Sequence, residues 1–212
     1  MKNIIILIVL AITSNLSFSQ VNPKKCNTTN LVEMELLQNP DYKNGRANSI
    51  AENIAWLKAN SNIKNTTITI PIVVHIVHKN THANIGSGTN ISNAQIEDAI
   101  RILNEDFSKT NPEFPNPPRN TFLSYAGNPD LQFCLATVDP LGNSTNGVTR
   151  TSTAQSDWDA DDDGPGGESN AMKQTASGGI DGWDPSSYLN IWVCNLSNSQ
   201  SGGQTLGYAY LP

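Results

Sequence analysis

His75, His78 and His82 are the only histidines in the chain, and histidine is both the commonest metal ligand and the side chain that exchanges a proton near neutral pH. A zinc centre needs three or four ligands converging on one point. His75 lies in the apolar run Ile70-Pro71-Ile72-Val73-Val74-His75-Ile76-Val77, and His78 follows three residues later. On a strand that spacing sends the two rings to opposite faces, so they cannot chelate one ion together. The helical pattern H-E-x-x-H occurs nowhere in the chain. The sequence therefore offers no metal site and no catalytic set of its own, and His75 reads as a residue of the core strand.

Two further groups carry potential chemistry. Asp157, Asp159, Asp161, Asp162 and Asp163 form an acidic tract ahead of Gly164, which supplies the oxygen ligands calcium needs. Its spacing matches an EF-hand loop only loosely, since Asp162 and not glycine stands at the sixth position from Asp157 and no flanking helices are evident, so a solvated acidic loop stands beside calcium as its reading. Cys26, Cys134 and Cys194 are an odd number. In an exported chain that leaves at least one thiol free or reserved for another partner.

The elements that hold these residues can be read from periodicity. The run Ile70 to Val77 is β-branched on both side-chain parities, which predicts a strand covered on both faces in a parallel sheet flanked by helices. Ser92 and Gln95 form a capping-box pattern, and Ile96, Ala99, Ile100, Leu103 and Phe107 recur at helical spacing. Glu97 and Arg101 are placed as an i,i+4 ion pair on the other face. A further strand, Leu131 to Val138, completes a βαβ unit with a right-handed crossover. A third strand is predicted over Tyr188 to Cys194. Asn111 to Pro118, with four prolines, must be loop, and Thr151 to Gly179 reads as loop as well.

The N-terminus sets the compartment. Lys2, the aliphatic stretch Ile4 to Ile12 and Ser17-Phe18-Ser19 make a signal peptide over residues 1–19, too short in its apolar part to span a bilayer. No other apolar run reaches spanning length, so the chain is expected to be secreted or periplasmic, with no transmembrane segment. Residues 20–66 read as an N-terminal extension with helices over Asn30 to Leu37 and Asn48 to Asn60, the second carrying Ile50, Ile54 and Leu57 on one stripe. It either packs over the domain or is a removable prosegment, since the Asn/Ser/Thr-rich stretch around Lys64 is easily nicked. Residues 67–212 hold one core, as 212 residues with 37% hydrophobic content allow. A formal charge of −6 without any basic patch argues against nucleic acid as a partner.

Several motifs then agree in order and spacing: the strand Ile70 to Val77; Gln132-Phe133-Cys134-Leu135-Ala136; Asp139-Pro140 with Gly142-Asn143; Gly147 and Val148-Thr149-Arg150; Trp183-Asp184-Pro185; Tyr188 to Cys194; and Leu206-Gly207-Tyr208-Ala209. Over most of residues 67–212 this set resembles the pappalysin family of metzincin zinc proteases. The resemblance implies an α/β fold (α+β in some schemes): a metzincin-like N-terminal subdomain with a twisted, mostly parallel sheet, a crossover helix and an antiparallel edge strand. It also implies a secreted zymogen that cleaves a protein or peptide substrate. In such a parent, zinc is held by three histidines of H-E-x-x-H-x-x-G-x-x-H and its bound water is activated by the glutamate. That pattern is absent here, so the expectation is a chain truncated before the catalytic helix, inactive alone, with its partner a missing C-terminal catalytic half.

Three residue-level expectations follow from the resemblance. Leu206, Gly207, Tyr208, Ala209 and Tyr210 correspond to the edge strand that pairs with the substrate backbone; an ordinary hairpin strand is the alternative. Cys26 corresponds to a cysteine that caps the catalytic zinc in the latent form, although Asn27 replaces the glycine that follows it in relatives, and an unpaired thiol is the alternative. The family's strand order puts the first strand between those of Cys134 and Cys194, about 9.6 Å apart if level, beyond disulfide reach. They are expected as buried thiols or as partners of the missing half. A non-catalytic secreted binding module, using the edge strand or the acidic loop to hold protein or calcium, is the reading opposed to the protease.

Overall fold

The computed structural model describes residues 28–60, 66–114, 123–160, 162, 168–197 and 205–209. In chain order the elements are α1 (Thr28–Gln38), α2 (Pro40–Ala59), β1 (Ile68–Lys79), α3 (Asn93–Ser108), β2 (Leu131–Leu135), β3 (Val148–Thr153), β4 (Trp158–Asp159), β5 (Leu189–Val193) and β6 (Leu196–Ser197), with short 3-10 turns between them.

Every other strand of the larger sheet is organised on β1. It pairs in parallel with β2 over Ile68–Ile72, with β3 over Val74–Lys79 and with β5 over Ile72–Ile76. The hydrogen bonds show which edge each partner takes. The amide of Ala136 donates to the Ile72 carbonyl, and the amide of Val74 donates to the Gly147 carbonyl. Both β1 residues are even-numbered, so β2 and β3 follow one another along the same edge, and β5 occupies the odd-numbered edge. Pro71, the one β1 residue without an N–H, lies just before β5 pairing begins, where no ladder bond is lost.

The join between β2 and β3 depends on a glycine. Between Ala136 and Gly147 the chain leaves the sheet in a loop closed by Asp139 and returns beside Ala136. Gly147 has φ +71°, and a Cβ there would lie 2.7 Å from the Ala136 nitrogen.

The two faces of β1 are covered differently. Ile72, Val74 and Ile76 pack against Ile96 and Phe133, with Ile100, Leu103 and Phe107 of α3 around them. The other face carries His75 and Val77, covered by Trp183, Trp192, Trp158 and Met172 from turns and short strands rather than from a second helix. The expected cover of helices on both sides is thus half met.

Helix α3 starts where its sequence says. Ser92 and Gln95 make the full reciprocal capping box. Asn104 in α3 donates to the Phe133 carbonyl at 2.9 Å and accepts from the Phe133 amide at 2.8 Å, which satisfies the outward edge of β2. Arg150 of β3 reaches Asn90, Asn93 and the Ile91 carbonyl, pinning the α3 N-terminus to the sheet. Arg101 pairs with Asp98 and Glu105, not with Glu97 as expected. Both carboxylates lie within a turn of it, and the two bonds take its guanidinium.

Three corrections concern the rest of the chain. β3 and β4 lie in or run into the stretch read as loop; Val148–Thr153 is too polar to show as a buried strand and is held at the sheet edge by pairing with β1. Helix α2 starts eight residues earlier than expected, because Asn39 caps it and Pro40 fits its first turn. Its stripe does not pack over the domain: Ile50, Ile54 and Leu57 are each about half exposed or more. α1 does dock, burying Leu31 and Val32.

Candidate functional site

The three histidines are spent on structure. His75 is fully buried, with Nδ1 2.7 Å from Thr149 Oγ1 and Nε2 2.9 Å from Asn190 Oδ1. His78 is buried with Nδ1 3.0 Å from the Lys79 carbonyl. His82 Nδ1 accepts the Thr89 amide at 3.0 Å, and its ring lies so close to Gly88 that a Cβ there would sit 2.5 Å from it. Among the described residues no three His, Cys, Asp or Glu side chains converge as a metal site. The residues present do not fit the catalytic zinc of a metalloprotease.

Of the acidic tract, Asp157, Asp159 and Asp162 are described and Asp161 and Asp163 lie outside the described residues. Asp157 accepts from Ser156, and its pKa is held below the usual carboxylate value by hydrogen bonds from Ser156 and Ser197. Among the described residues no ligand set for a metal ion is assembled.

The segment 205–209 departs from expectation in form. Among the described residues it contributes no strand and every ladder between named strands is parallel; the flanking residues 198–204 and 210–212, on which the expected antiparallel edge strand also depends, lie outside the described residues. Tyr210 lies outside the described residues. Its C-terminal residues are held by the N-terminal extension and by the turn 168–173. Ala209 donates its amide to Thr28 Oγ1 at 2.9 Å, and the Tyr208 hydroxyl donates to Met172 Sδ at 3.2 Å. Leu206 is 69% exposed and Gly207 has open space around it.

Beside Tyr208 sits a group that sequence reading missed. Lys173 Nζ lies 4.8 Å from the Tyr208 ring centroid and 5.6 Å from that of Trp192, a cation held between two π faces. Burial pulls its pKa down to about 8, opposed by the charges of Cys194 and Glu35 of α1. The Cys194 thiol is pushed up to about 12 by burial, against the pull of Lys173. A lone lysine in a loop-like stretch carries no sequence signal for such a role.

Cys134 and Cys194 are both free. Cys134 lies opposite Pro71 on one edge of β1, and Cys194 follows the residue opposite Ile76 on the other. They are therefore offset by roughly 20 Å along the strands as well as by two strand spacings. Cys194 is half-buried, while Cys134 is exposed at the sheet edge, so the latter is not a buried thiol. Cys26 lies outside the described residues.

Comparison with known proteins places this arrangement. A scan of protein-family models and a search of curated proteins return no match. Solved structures do match. Mirolysin in complex with compound 9 is 43% identical over 63% of this chain and 44% of that one, with a TM-score of 0.53. Mature mirolysin of Tannerella forsythia with a cleaved peptide is 42% identical over 64% of this chain and 45% of that one, at 0.54. The E225A mutant of promirolysin from the same organism is 36% identical over 80% of this chain and 50% of that one, at 0.58. The chain spans half, or slightly less, of the length of each. In sequence and fold this chain resembles, over that part, the pappalysin-type metzincin metalloproteases to which mirolysin belongs.

Proposed function

We propose that the chain is the N-terminal portion of a secreted zinc metalloendopeptidase, made as a zymogen and without peptidase activity by itself. The observation that carries this is the match to mirolysin at 36 to 43% identity, combined with the absence of H-E-x-x-H from all 212 residues. In the parent protein the zinc ligands and the general base come from the part this chain lacks, and zinc supplies the activated water there. The residues of this chain form the sheet on which that half is laid, with a peptide as substrate.

The zymogen reading rests on the extension. The promirolysin match covers 80% of the chain against 63 and 64% for the mature forms, so the pro-form alignment reaches further across this sequence. Residues 20–66 are the proposed prosegment, with residues 1–19 directing export. In its docked position α1 takes the Ala209 amide, a donor that a peptide substrate paired along Leu206 to Tyr210 would need. Removal of the extension frees that donor. Cys26, two residues ahead of α1, is the proposed latency thiol.

The test is to read the coding DNA past the codon for Pro212. An in-frame continuation through H-E-x-x-H-x-x-G-x-x-H is expected. A stop codon directly after Pro212 would overturn the proposal.

A further inference from the structure

Residues 145–148 carry the chain from the loop closed by Asp139 into β3, and two side chains fold back on the backbone there. The Thr145 hydroxyl oxygen accepts the Gly147 amide at 3.2 Å, and Asn146 Oδ1 accepts the Val148 amide at 3.2 Å. The second bond is an Asx turn, which curls an asparagine's side-chain carbonyl back over the peptide that follows it. That peptide is the one joining Asn146 to Gly147. Asn146 is exposed, and Gly147 has no Cβ to shield its own nitrogen.

These contacts match the needs of an intramolecular acyl transfer: a nucleophile whose proton already faces an acceptor, and a carbonyl whose oxygen already takes an N–H where negative charge will develop. The nucleophile is the Gly147 nitrogen, with its proton directed at Thr145 Oγ1. The carbonyl is the Asn146 side-chain amide, with its oxygen held by the Val148 amide. We propose that Asn146 is a self-modification site, at which the Gly147 nitrogen closes on Asn146 Cγ and the side-chain amide is lost as ammonia. The inference does not depend on the protease reading.

As the bond from the Gly147 nitrogen to Cγ forms, the amide proton passes by way of the Thr145 hydroxyl to solvent. The Cγ–Nδ2 bond then breaks, Nδ2 takes a proton from water and leaves as ammonia, and a succinimide ring remains. Water opens that ring at Cγ to give aspartate, or at the main-chain carbonyl to give isoaspartate. One water is consumed and one ammonia released, with nothing oxidised or reduced. Isoaspartate routes the backbone through Cβ and Cγ and so lengthens it by one carbon directly ahead of Gly147. The Gly147 carbonyl accepts the Val74 amide at 2.8 Å, and its Cα lies close against Ala136. The extra carbon therefore displaces the entry to β3 and loosens its ladder with β1.

The chain holds one other Asn-Gly pair, Asn44-Gly45, which serves as the comparison. It lies inside α2, where the helical backbone keeps the Gly45 amide in its ladder. The experiment is prolonged incubation of the full natural chain in mildly alkaline buffer, folded and unfolded in guanidinium, with peptide mapping by mass spectrometry to follow amide-to-acid conversion at both pairs. In the folded chain Asn146 should convert roughly tenfold ahead of Asn44, while the unfolded chain converts both at similar rates. Thr145→Val keeps the side-chain shape and removes the acceptor. It should slow Asn146 roughly fivefold in the folded chain and leave the unfolded rate unchanged, which a merely structural role for Thr145 would not produce. No preference for Asn146 in the folded chain, or an unchanged folded rate in Thr145→Val, would overturn the proposal. Should that variant not fold, the folded and unfolded rates of the natural chain decide alone.

Discussion

The amide of Ala209 donates to the hydroxyl of Thr28 at 2.9 Å, across 181 positions of chain. It ties the start of α1 to the segment that the resemblance assigns to substrate. A single neutral hydrogen bond contributes about 1 kcal/mol, so Thr28→Val should increase hydrogen exchange of α1 roughly fivefold while leaving α3 unchanged. Unaltered exchange in α1 would mean that Leu31 and Val32 alone hold the helix.

Gly147 marks the point where two strands become one edge. Its positive φ and its approach to the Ala136 backbone leave no room for a side chain. Gly147→Ala is expected to cost about 2 kcal/mol or more from left-handed strain and backbone displacement, read as a lowered urea midpoint. Gly142 also has positive φ but open space around it, so Gly142→Ala should cost only the strain and serves as the comparison.

Arg150 is bonded to neutral groups at the α3 N-terminus. Arg150→Met leaves the buried Asn90 amide oxygen without its guanidinium donor, and a loss of about 2 kcal/mol is expected. Arg150→Lys should recover little, because an ammonium cannot fork across Asn90, Asn93 and Ile91. Chemical denaturation of both variants measures this.

Lys173 and Cys194 make opposite demands on alkaline stability. The folded Lys173 pKa of about 8 lies below its usual 10.5. The unfolded chain thus holds the extra proton between those values, and stability should rise with pH there. The folded Cys194 pKa of about 12 lies above its usual 9, so the unfolded chain loses its proton first and stability should fall above pH 9. The two offset each other between pH 9 and 10.5. Cys194→Ala should expose the rise, seen as a urea midpoint higher at pH 10.5 than at pH 8; a falling midpoint in that variant would contradict the assignment.

What the sequence disclosed was what periodicity carries. β1, α3, β2 and β5 announce themselves through long apolar patterns and, in α3, through Ser92 and Gln95. β3 does not, since Val148-Thr149-Arg150-Thr151-Ser152-Thr153 owes its strand form to the edge of β1 rather than to its own apolar content. The α2 stripe misled for the reverse reason: Ile50, Ile54 and Leu57 have the spacing of a buried face, but spacing alone does not supply a partner. At the site, the order of short motifs was enough to identify the relatives. The ring contacts of Lys173 and the bond between Asn190 and His75 were out of reach, because they join residues that only the fold brings together.

The most direct test of the account is hydrolysis by the 212-residue chain itself. Purified with added zinc and given casein or a fluorogenic peptide, it should show no chelator-sensitive cleavage and should retain no tightly bound zinc after gel filtration. Zinc-dependent hydrolysis that a chelator abolishes would contradict it, because it would require a metal site that His75, His78 and His82 do not form.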